Sequence, residues 1–290
     1  MNRRDLERLV LELKRQFDRF AAGDSLGRFK LVGPGDDARL AEVHDDARFL
    51  DHALNARSGI CEIFVRVEPN QYTRKGFLVL DHSPSNNWGG NQALVLRRQL
   101  MQATAEALVL LSSASGHDCG LVLPGDTSPR LIQAGTCTQV VLAELAKSSA
   151  VDGSLDPQLK LLVNQARYVE FAILVLDVHK LGSPEVRSAL TSISKHCELV
   201  IVEVSDPWDY QLPSLGKVRL RQNGEVKRVD TSDGNTREAY VAMAAERQRS
   251  NQEFLRGLGR DVQHHELITS IPFGTQFLSE FAPSPARRAS

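Results

Sequence analysis

Two short apolar runs that each end in an aspartate constrain the fold of this chain most. Residues 76–80 precede Asp81, and residues 171–176 precede Asp177. Both runs are too short for a helix core and are apolar on both faces, which is typical of strands buried on both sides of a parallel sheet. Parallel strands end at the same rim of a sheet, where open α/β sheets bind ligands, so we expect both carboxylates at one rim.

The rest of the chain alternates between helix and strand patterns. Helices are predicted at residues 3–22, 92–114, 138–147, 157–166, from Pro184 onward, and at 237–258 with Thr236 as its cap. Further strands are predicted at 120–123, 130–134, 198–204 and 261–269. On the last of these strands, His264 and His265 should point to opposite faces. Alternation of this kind predicts one doubly wound α/β domain with a mostly parallel sheet.

Three segments are expected to lie outside the regular alternation. Residues 1–60 are predicted as an N-terminal helical extension with a charged loop segment, 61–282 as the α/β domain and 283–290 as a disordered tail. The apolar stripe of the first helix packs either on its own domain or on a partner. Residues 216–231 form a small β-hairpin insertion, because Asn223-Gly224 between alternating runs is a strong hairpin signal.

Composition excludes several classes of protein. The 35 basic and 36 acidic residues give no electrostatic reason to expect nucleic-acid binding. The four cysteines are scattered without a CxxC pair, which indicates a reducing compartment and argues against zinc or disulfides. No apolar run approaches the roughly 20 residues of a spanning helix, and the first helix lacks a signal-peptide core. We therefore predict a cytoplasmic protein without a membrane span.

One polar cluster could carry a metal ion. Asp81-x-Ser83-x-Ser85 supplies a carboxylate and two hydroxyls just past a strand, and these hard oxygen ligands suit Mg²⁺. Asp177 could add a second carboxylate and Ser154 a third hydroxyl from another loop. The alternative is purely structural: Ser83 and Ser85 make turn bonds, Ser154 or Asp156 caps the helix at 157–166, and Asp177 caps its own loop. The predicted ligand set is thus five side chains for weakly bound Mg²⁺, with Mn²⁺ or Ca²⁺ as substitutes.

The order of these elements resembles the metal-ion-dependent adhesion site of von Willebrand factor A domains. Residues 45–57 resemble the "GDD-x-R-x-IDW-x-x-x-AR" segment of one bacterial branch, the domain-of-unknown-function family fifty-eight. Residues 206–213 resemble that branch's "DP-x-E-x-x-LP" segment. The departures from the family pattern are His44 for Gly, His52 for Trp, Asn86 for Met, and Ser154 for the usual Thr, with Thr136 and Thr138 as rivals for that last position.

The resemblance implies a protein-binding module rather than an enzyme. It implies cooperation with a MoxR-type AAA+ ATPase in the assembly or maturation of protein complexes, and a bracing role for residues 45–57. The client complex and the oligomeric state stay open. Two alternatives also stay open: a metal-dependent hydrolase that uses Asp81 and Asp177, with His82 or His179 as the base, and a scaffold whose metal site has decayed.

Overall fold

The computed structural model describes residues 3–21, 38–40, 64–66, 73–148, 153–222, 225–259 and 262–282. The predicted brace at 45–57, the Asn223-Gly224 turn and the predicted disordered tail at 283–290 lie outside these residues. Two compact units are distinguished: Met1–Leu13 with Arg74–Ala282, and Lys14–Thr73 with Pro283–Ser290. In the second unit, a pair of three-residue strands runs antiparallel, with Arg39 opposite Val65.

The secondary structure follows the predicted order. The strands are β1 Ala38–Leu40, β2 Phe64–Arg66, β3 Lys75–Leu80, β4 Asp118–Leu123, β5 Arg130–Ile132, β6 Phe171–Asp177, β7 Glu198–Ser205, β8 Lys217–Gln222, β9 Glu225–Asp230 and β10 Val262–Ile268. The helices are α1 Arg3–Ala21, α2 Arg97–Ala114, α3 Thr138–Ser148, α4 Leu155–Gln165, α5 Pro184–Ile193, α6 Gly234–Gly257 and α7 Phe273–Phe281.

A six-stranded sheet organises the first unit, in the order β10-β7-β6-β3-β4-β5. All neighbouring strands are parallel except the β4–β5 pair, which is antiparallel. Helices separate the parallel strands along the chain, so the predicted doubly wound, mostly parallel α/β fold is confirmed. Leu80 lies opposite Val175, and Asp177 lies opposite Val204. The carboxyl ends of β3, β6 and β7 therefore meet at one rim.

The helices differ from the predictions in three respects. Residues 92–96 are not helical: Ala93 N donates to Gly90 O in a turn, and Leu96 is extended at the start of α2. The cap of α6 is Asp233, whose carboxylate accepts hydrogen bonds from backbone N–H groups of the first turn, rather than Thr236. The short helix α7 was not predicted. Three phenylalanines at four-residue spacing give it an aromatic stripe, with adjacent ring centroids 5.0 and 4.6 Å apart.

The apolar stripe at the start of α1 packs within the first unit. Leu6, Leu9, Val10 and Leu13 are all buried. A side chain built at Gly274, in α7, would lie 3.8 Å from Leu9 Cδ1, which places this part of α1 against α7. The first of the two packing options for the helix is therefore confirmed for residues 3–13.

Candidate functional site at the strand ends

Asp81 lies at the end of β3 and is 2% exposed. Its backbone N–H donates to Val175 O over 2.9 Å, which continues the sheet by one residue. Its Oδ1 accepts hydrogen bonds from the backbone N and the Oγ of Ser83, at 3.0 and 2.5 Å. Its Oδ2 is buried, and no hydrogen-bond donor reaches it from the described residues. A buried carboxylate oxygen without a donor is costly unless another ligand contacts it.

The loop after Asp81 turns sharply in a short 3₁₀ helix at Pro84–Asn86. Asn86, at the position where the family pattern has Met, is buried, and its side-chain amide donates to Asp81 O over 2.9 Å. This bond fixes the loop back onto the strand end. Ser85 lies between them and is exposed, so its hydroxyl is open to solvent at the rim.

Ser154 lies on a neighbouring loop. Gly153 N donates to His82 O over 3.0 Å, so the residue before Ser154 is bonded to the loop that carries Ser83. Ser154 stands at the start of α4, yet its hydroxyl makes no capping hydrogen bond and is exposed. By contrast, the Oγ1 of its rival Thr138 lies 2.9 Å from Ser113 Oγ. Side-chain capping by Ser154 is therefore wrong, whereas the predicted bond of Asp177 to its own loop is present, since its carboxylate accepts the backbone N–H of His179.

Asp177 is engaged in a buried ion-pair network. Its Oδ2 lies 2.6 Å from a guanidinium nitrogen of Arg97, and its Oδ1 accepts the backbone N–H of His179 at 3.0 Å. A second guanidinium nitrogen lies 2.5 Å from Asp209 Oδ2, and His179 Nε2 lies 2.9 Å from Asp209 Oδ1. The side chains of Arg97 and Asp177 are each 3% exposed. Both Asp177 oxygens thus already have partners.

Burial and charge act against each other in this network. Burial disfavours the ionised form of Asp177 and raises its pKa, although Arg97 opposes the change. Burial acts on Asp209 in the same way, but the hydrogen bond from His179 and the charge of Arg97 outweigh it and lower the pKa of that carboxyl. The pKa of Arg97 is raised, because the two carboxylates outweigh its burial. Arg97 therefore stays charged at any physiological pH.

Asp206 joins three loops at the same rim and is 0% exposed. Its carboxylate accepts hydrogen bonds from Gly90 N at 3.1 Å, Trp208 N at 3.0 Å and Thr269 Oγ1 at 2.5 Å. These donors come from the loop before α2, the turn after β7 and the end of β10. These three bonds explain why an aspartate follows β7.

The rim beside these carboxylates is uncharged and carries exposed apolar side chains. Residues 86–96 contain no charged residue, and the rings of Trp88 and Trp208 meet edge-on with centroids 5.3 Å apart. Leu94 is 60% exposed, and its backbone N donates to Thr269 O at the end of β10. Further exposed apolar side chains in this region are Val95, Leu96 and Ile271.

The donor set suits a hard cation only in part. Within the described ranges no group of three or more His, Cys, Asp or Glu side chains is arranged to hold a metal. Asp81 and the hydroxyls of Ser83, Ser85 and Ser154 are oxygen donors of the kind Mg²⁺ prefers. Asp177 does not fit the predicted set as a direct ligand, because Arg97 and the His179 backbone occupy its oxygens.

Neither histidine proposed as a base is placed for hydrolysis. His82 is 2% exposed, with its Nδ1 2.7 Å from Leu80 O and its Nε2 3.0 Å from Ser148 Oγ. The Nε2 of His179 faces Asp209 rather than Asp81. As placed, neither of these two side chains can take a proton from a water beside Asp81.

Sequence reasoning missed Arg97 and Asp209. The available signal was a charged Arg97-Arg98 pair directly after eleven uncharged residues, at the point where a helix begins next to two Asp-ended strands. A buried arginine needs carboxylate partners, and the strand ends supply them. Asp209 lies within the segment 206–213, which resembles the family, but the resemblance alone assigns no role to its side chain.

Comparison with known proteins identifies relatives without an established activity. Residues 37–250 match the model of a family described as "Protein of unknown function DUF58". "Uncharacterized protein Rv1480" of Mycobacterium tuberculosis and "Uncharacterized protein Mb1516" of Mycobacterium bovis are each 27% identical over 265 residues, covering 88% of this chain and 81% of theirs.

Solved structures with a detectable likeness are more distant. BatB from Bacteroides thetaiotaomicron has a TM-score of 0.38 at 12% identity, over 64% of this chain and 98% of that one. The SpRpn10 VWA domain has a TM-score of 0.41 at 11% identity, over 73% of this chain and 98% of that one. None of the helices in the described ranges is both long and apolar enough to cross a membrane.

Proposed function

This chain belongs to the DUF58 family, and we propose that it is a non-catalytic protein-binding module with a divalent-cation site at the strand ends. Mg²⁺ is the proposed cation, with Mn²⁺ or Ca²⁺ as substitutes. Asp81, Ser83, Ser85 and Ser154 would hold it, and Asp177 would act on it from outside the ligand shell. When bound, the cation supplies one open coordination position that a partner's carboxylate completes.

The observation that carries this proposal is the Oδ2 atom of Asp81. It is buried, ionisable and without a donor from the described residues, while the other oxygen of the same carboxylate is fixed by Ser83. Such an atom is expected where a cation completes the arrangement. The exposed hydroxyls of Ser85 and Ser154 supply further oxygens from the same loop and its neighbour.

The surroundings of the site suit a protein partner better than a small substrate. Exposed Trp88 and Leu94 lie at the same strand ends, and aromatic side chains of this kind are enriched at protein interfaces. The family resemblance supports a MoxR-type AAA+ ATPase as the partner and a role in assembling or maturing protein complexes. The metal-dependent hydrolase is disfavoured, because both ring nitrogens of His82 have partners.

A second candidate, a scaffold with a decayed metal site, is favoured by one observation. The guanidinium of Arg97 already pairs with both Asp177 and Asp209, so these two carboxylates are held at the rim without an added cation. The two candidates differ in one measurable quantity: a cation that binds the native state alone must raise the melting temperature.

Thermal melting with and without Mg²⁺ or Mn²⁺ tests the proposal. We expect either ion to raise the melting temperature of the wild-type protein, and Asp81→Asn to remove that increase. Asp118→Asn is the matched control, because it removes the same charge from the start of β4, at the opposite end of the strands. No increase in the wild type up to roughly 10 mM metal, or an equal increase in Asp81→Asn, would refute the metal site.

The partner is tested separately. A purified MoxR-type ATPase should be retained by the immobilised wild-type protein in Mg²⁺ and released by EDTA, and Asp81→Asn should not retain it. Retention that ignores both EDTA and Asp81→Asn would count against a metal-mediated contact.

A further inference from the structure

The strongest feature that the proposed function leaves unexplained is the charge on Arg97. The side chain leaves the first residue of α2, is 3% exposed, and bridges Asp177 at the end of β6 and Asp209 in the turn after β7. Asp81 follows β3, and Asp177 ends the adjacent strand β6, so the two carboxylates expected at a metal site lie at one rim. Arg97 places a fixed positive charge directly beside Asp177, the second of these carboxylates.

We infer that Arg97 is the residue that sets how tightly the rim binds a divalent cation. This inference rests on the proposed function. Arg97 holds Asp177 out of the ligand shell, so among the residues that the structure describes the cation meets one carboxylate, that of Asp81, together with neutral hydroxyls. Two consequences follow: the cation is bound weakly, and it retains the open position that a partner's carboxylate needs.

The hydrogen bonds of Asp177 show why the arginine competes directly with a metal. The Oδ2 atom contacts the guanidinium at 2.6 Å, and the Oδ1 atom accepts the His179 N–H at 3.0 Å. A cation could reach this carboxylate only by displacing one of these donors. The guanidinium is also anchored by Asp209 at 2.5 Å and lies 5.8 Å from the centroid of the Trp88 ring, so it cannot move away without breaking a second contact.

Charge arithmetic gives the size of the expected effect. An adjacent arginine lowers the proton affinity of a carboxylate by about one to three pKa units, which is roughly 10- to 1000-fold. A divalent cation carries twice the charge of a proton and is disfavoured by the same neighbour. Removing the positive charge should therefore tighten cation binding at least about tenfold.

Titration with Mn²⁺, followed by the electron paramagnetic resonance signal of the free ion, tests the inference. We expect Arg97→Gln to bind Mn²⁺ at least about tenfold more tightly than the wild type. The control is Arg130→Gln. Arg130 lies on the edge strand β5 and forms an exposed ion pair with Glu144, so this variant loses the same charge far from the site and should bind Mn²⁺ as the wild type does. Binding by Arg97→Gln that is equal to or weaker than that of the wild type would overturn the inference.

A second substitution separates direct ligation from a general charge effect. Adding Asp177→Asn to Arg97→Gln should return the affinity to about the wild-type value, because the freed carboxylate is then lost. If the double variant keeps the full gain, Asp177 is not the group that Arg97 withholds, and the assignment fails.

A milder substitution at the same position controls for misfolding of Arg97→Gln. Arg97→Lys keeps the positive charge, but a single ammonium cannot reproduce the two-pronged contact with Asp177 and Asp209. We expect its Mn²⁺ affinity to stay close to that of the wild type, and an affinity as high as that of Arg97→Gln would contradict the inference.

Failure of the proposed function gives a different result. If Asp81→Asn binds Mn²⁺ as tightly as the wild type, the metal site itself is misplaced. If Asp81→Asn abolishes binding in both backgrounds while Arg97→Gln gives no gain, the metal site stands and the role of Arg97 is refuted.

Discussion

Replacing Asp206 should release three loops of the rim at once. Its buried carboxylate accepts hydrogen bonds from Gly90, Trp208 and Thr269. Hydrogen bonds to a charged group contribute about 1.5–3 kcal/mol each. Gly90 and Trp208 are only partly buried, so their N–H groups can reach water once the carboxylate is gone. We therefore expect Asp206→Ala to lower the free energy of unfolding by about 3–5 kcal/mol, which is near the lower end of the summed contribution of the three hydrogen bonds.

Urea unfolding followed by circular dichroism measures this free energy. Asp206→Asn keeps one acceptor oxygen and should cost about half as much. The control is Asp230→Asn, an exposed aspartate that accepts one hydrogen bond from Ser232 N at 3.0 Å and should cost no more than about 0.5 kcal/mol.

Tryptophan fluorescence provides a local readout of the same change. The chain has two tryptophans, Trp88 and Trp208, and both lie at this rim with their ring centroids 5.3 Å apart. Asp206→Ala should shift their emission to longer wavelength in the absence of urea, because the released loops expose the rings. If Asp206→Ala matches Asp230→Asn in both its free energy of unfolding and its emission wavelength, the bracing role of Asp206 is refuted.

Three further changes test the packing and the charges. Gly120→Ala should cost about 1–3 kcal/mol, because its Cβ would lie 2.4 Å from Ile132 O on β5, whereas Gly182→Ala meets nothing within 4 Å; a calorimetric melt compares them. Leu13→Ala should cost about 2–5 kcal/mol by urea unfolding and the 53% exposed Leu11→Ala far less; equal costs would contradict the packing of α1. Because the pKa of Asp209 is lowered in the folded protein, the unfolded state binds more protons in acid. The stabilisation that Asp209 gives is therefore present above pH 3.8 and lost as the pH falls below it. In thermal melts at acid pH, Asp209→Asn should lose less stability with falling pH than the wild type does.

Much of the sheet was predictable because burial on both faces leaves a clear trace in sequence. The runs before Asp81 and Asp177 could be placed as parallel strands that end at one rim, and the opposite directions of His264 and His265 followed from strand alternation. His264 bonds Glu203 at 2.8 Å, while His265 stacks on Phe281 on the other side of the sheet.

The ion-pair network was not predictable in the same way. Arg97 meets Asp177 and Asp209 across 80 and 112 residues of chain, and no local pattern encodes which long side chain fills the space between two strand ends. The start of α2 was misplaced for a related reason. Residues 92–96 have helical apolar spacing, but Leu94 N donates to Thr269 O, and this tertiary contact holds the segment outside the helix.

The match to the family ends at residue 250, inside α6, and therefore before β10. In this chain, β10 pairs with β7 from Leu199 to Ser205. A fragment cut at the family boundary would leave β7 with an open row of backbone donors and acceptors, flanked by Val200, Ile201 and Val202. Such an edge invites pairing between molecules, so a shortened protein of this kind would self-associate even if every side chain at the strand ends kept its place.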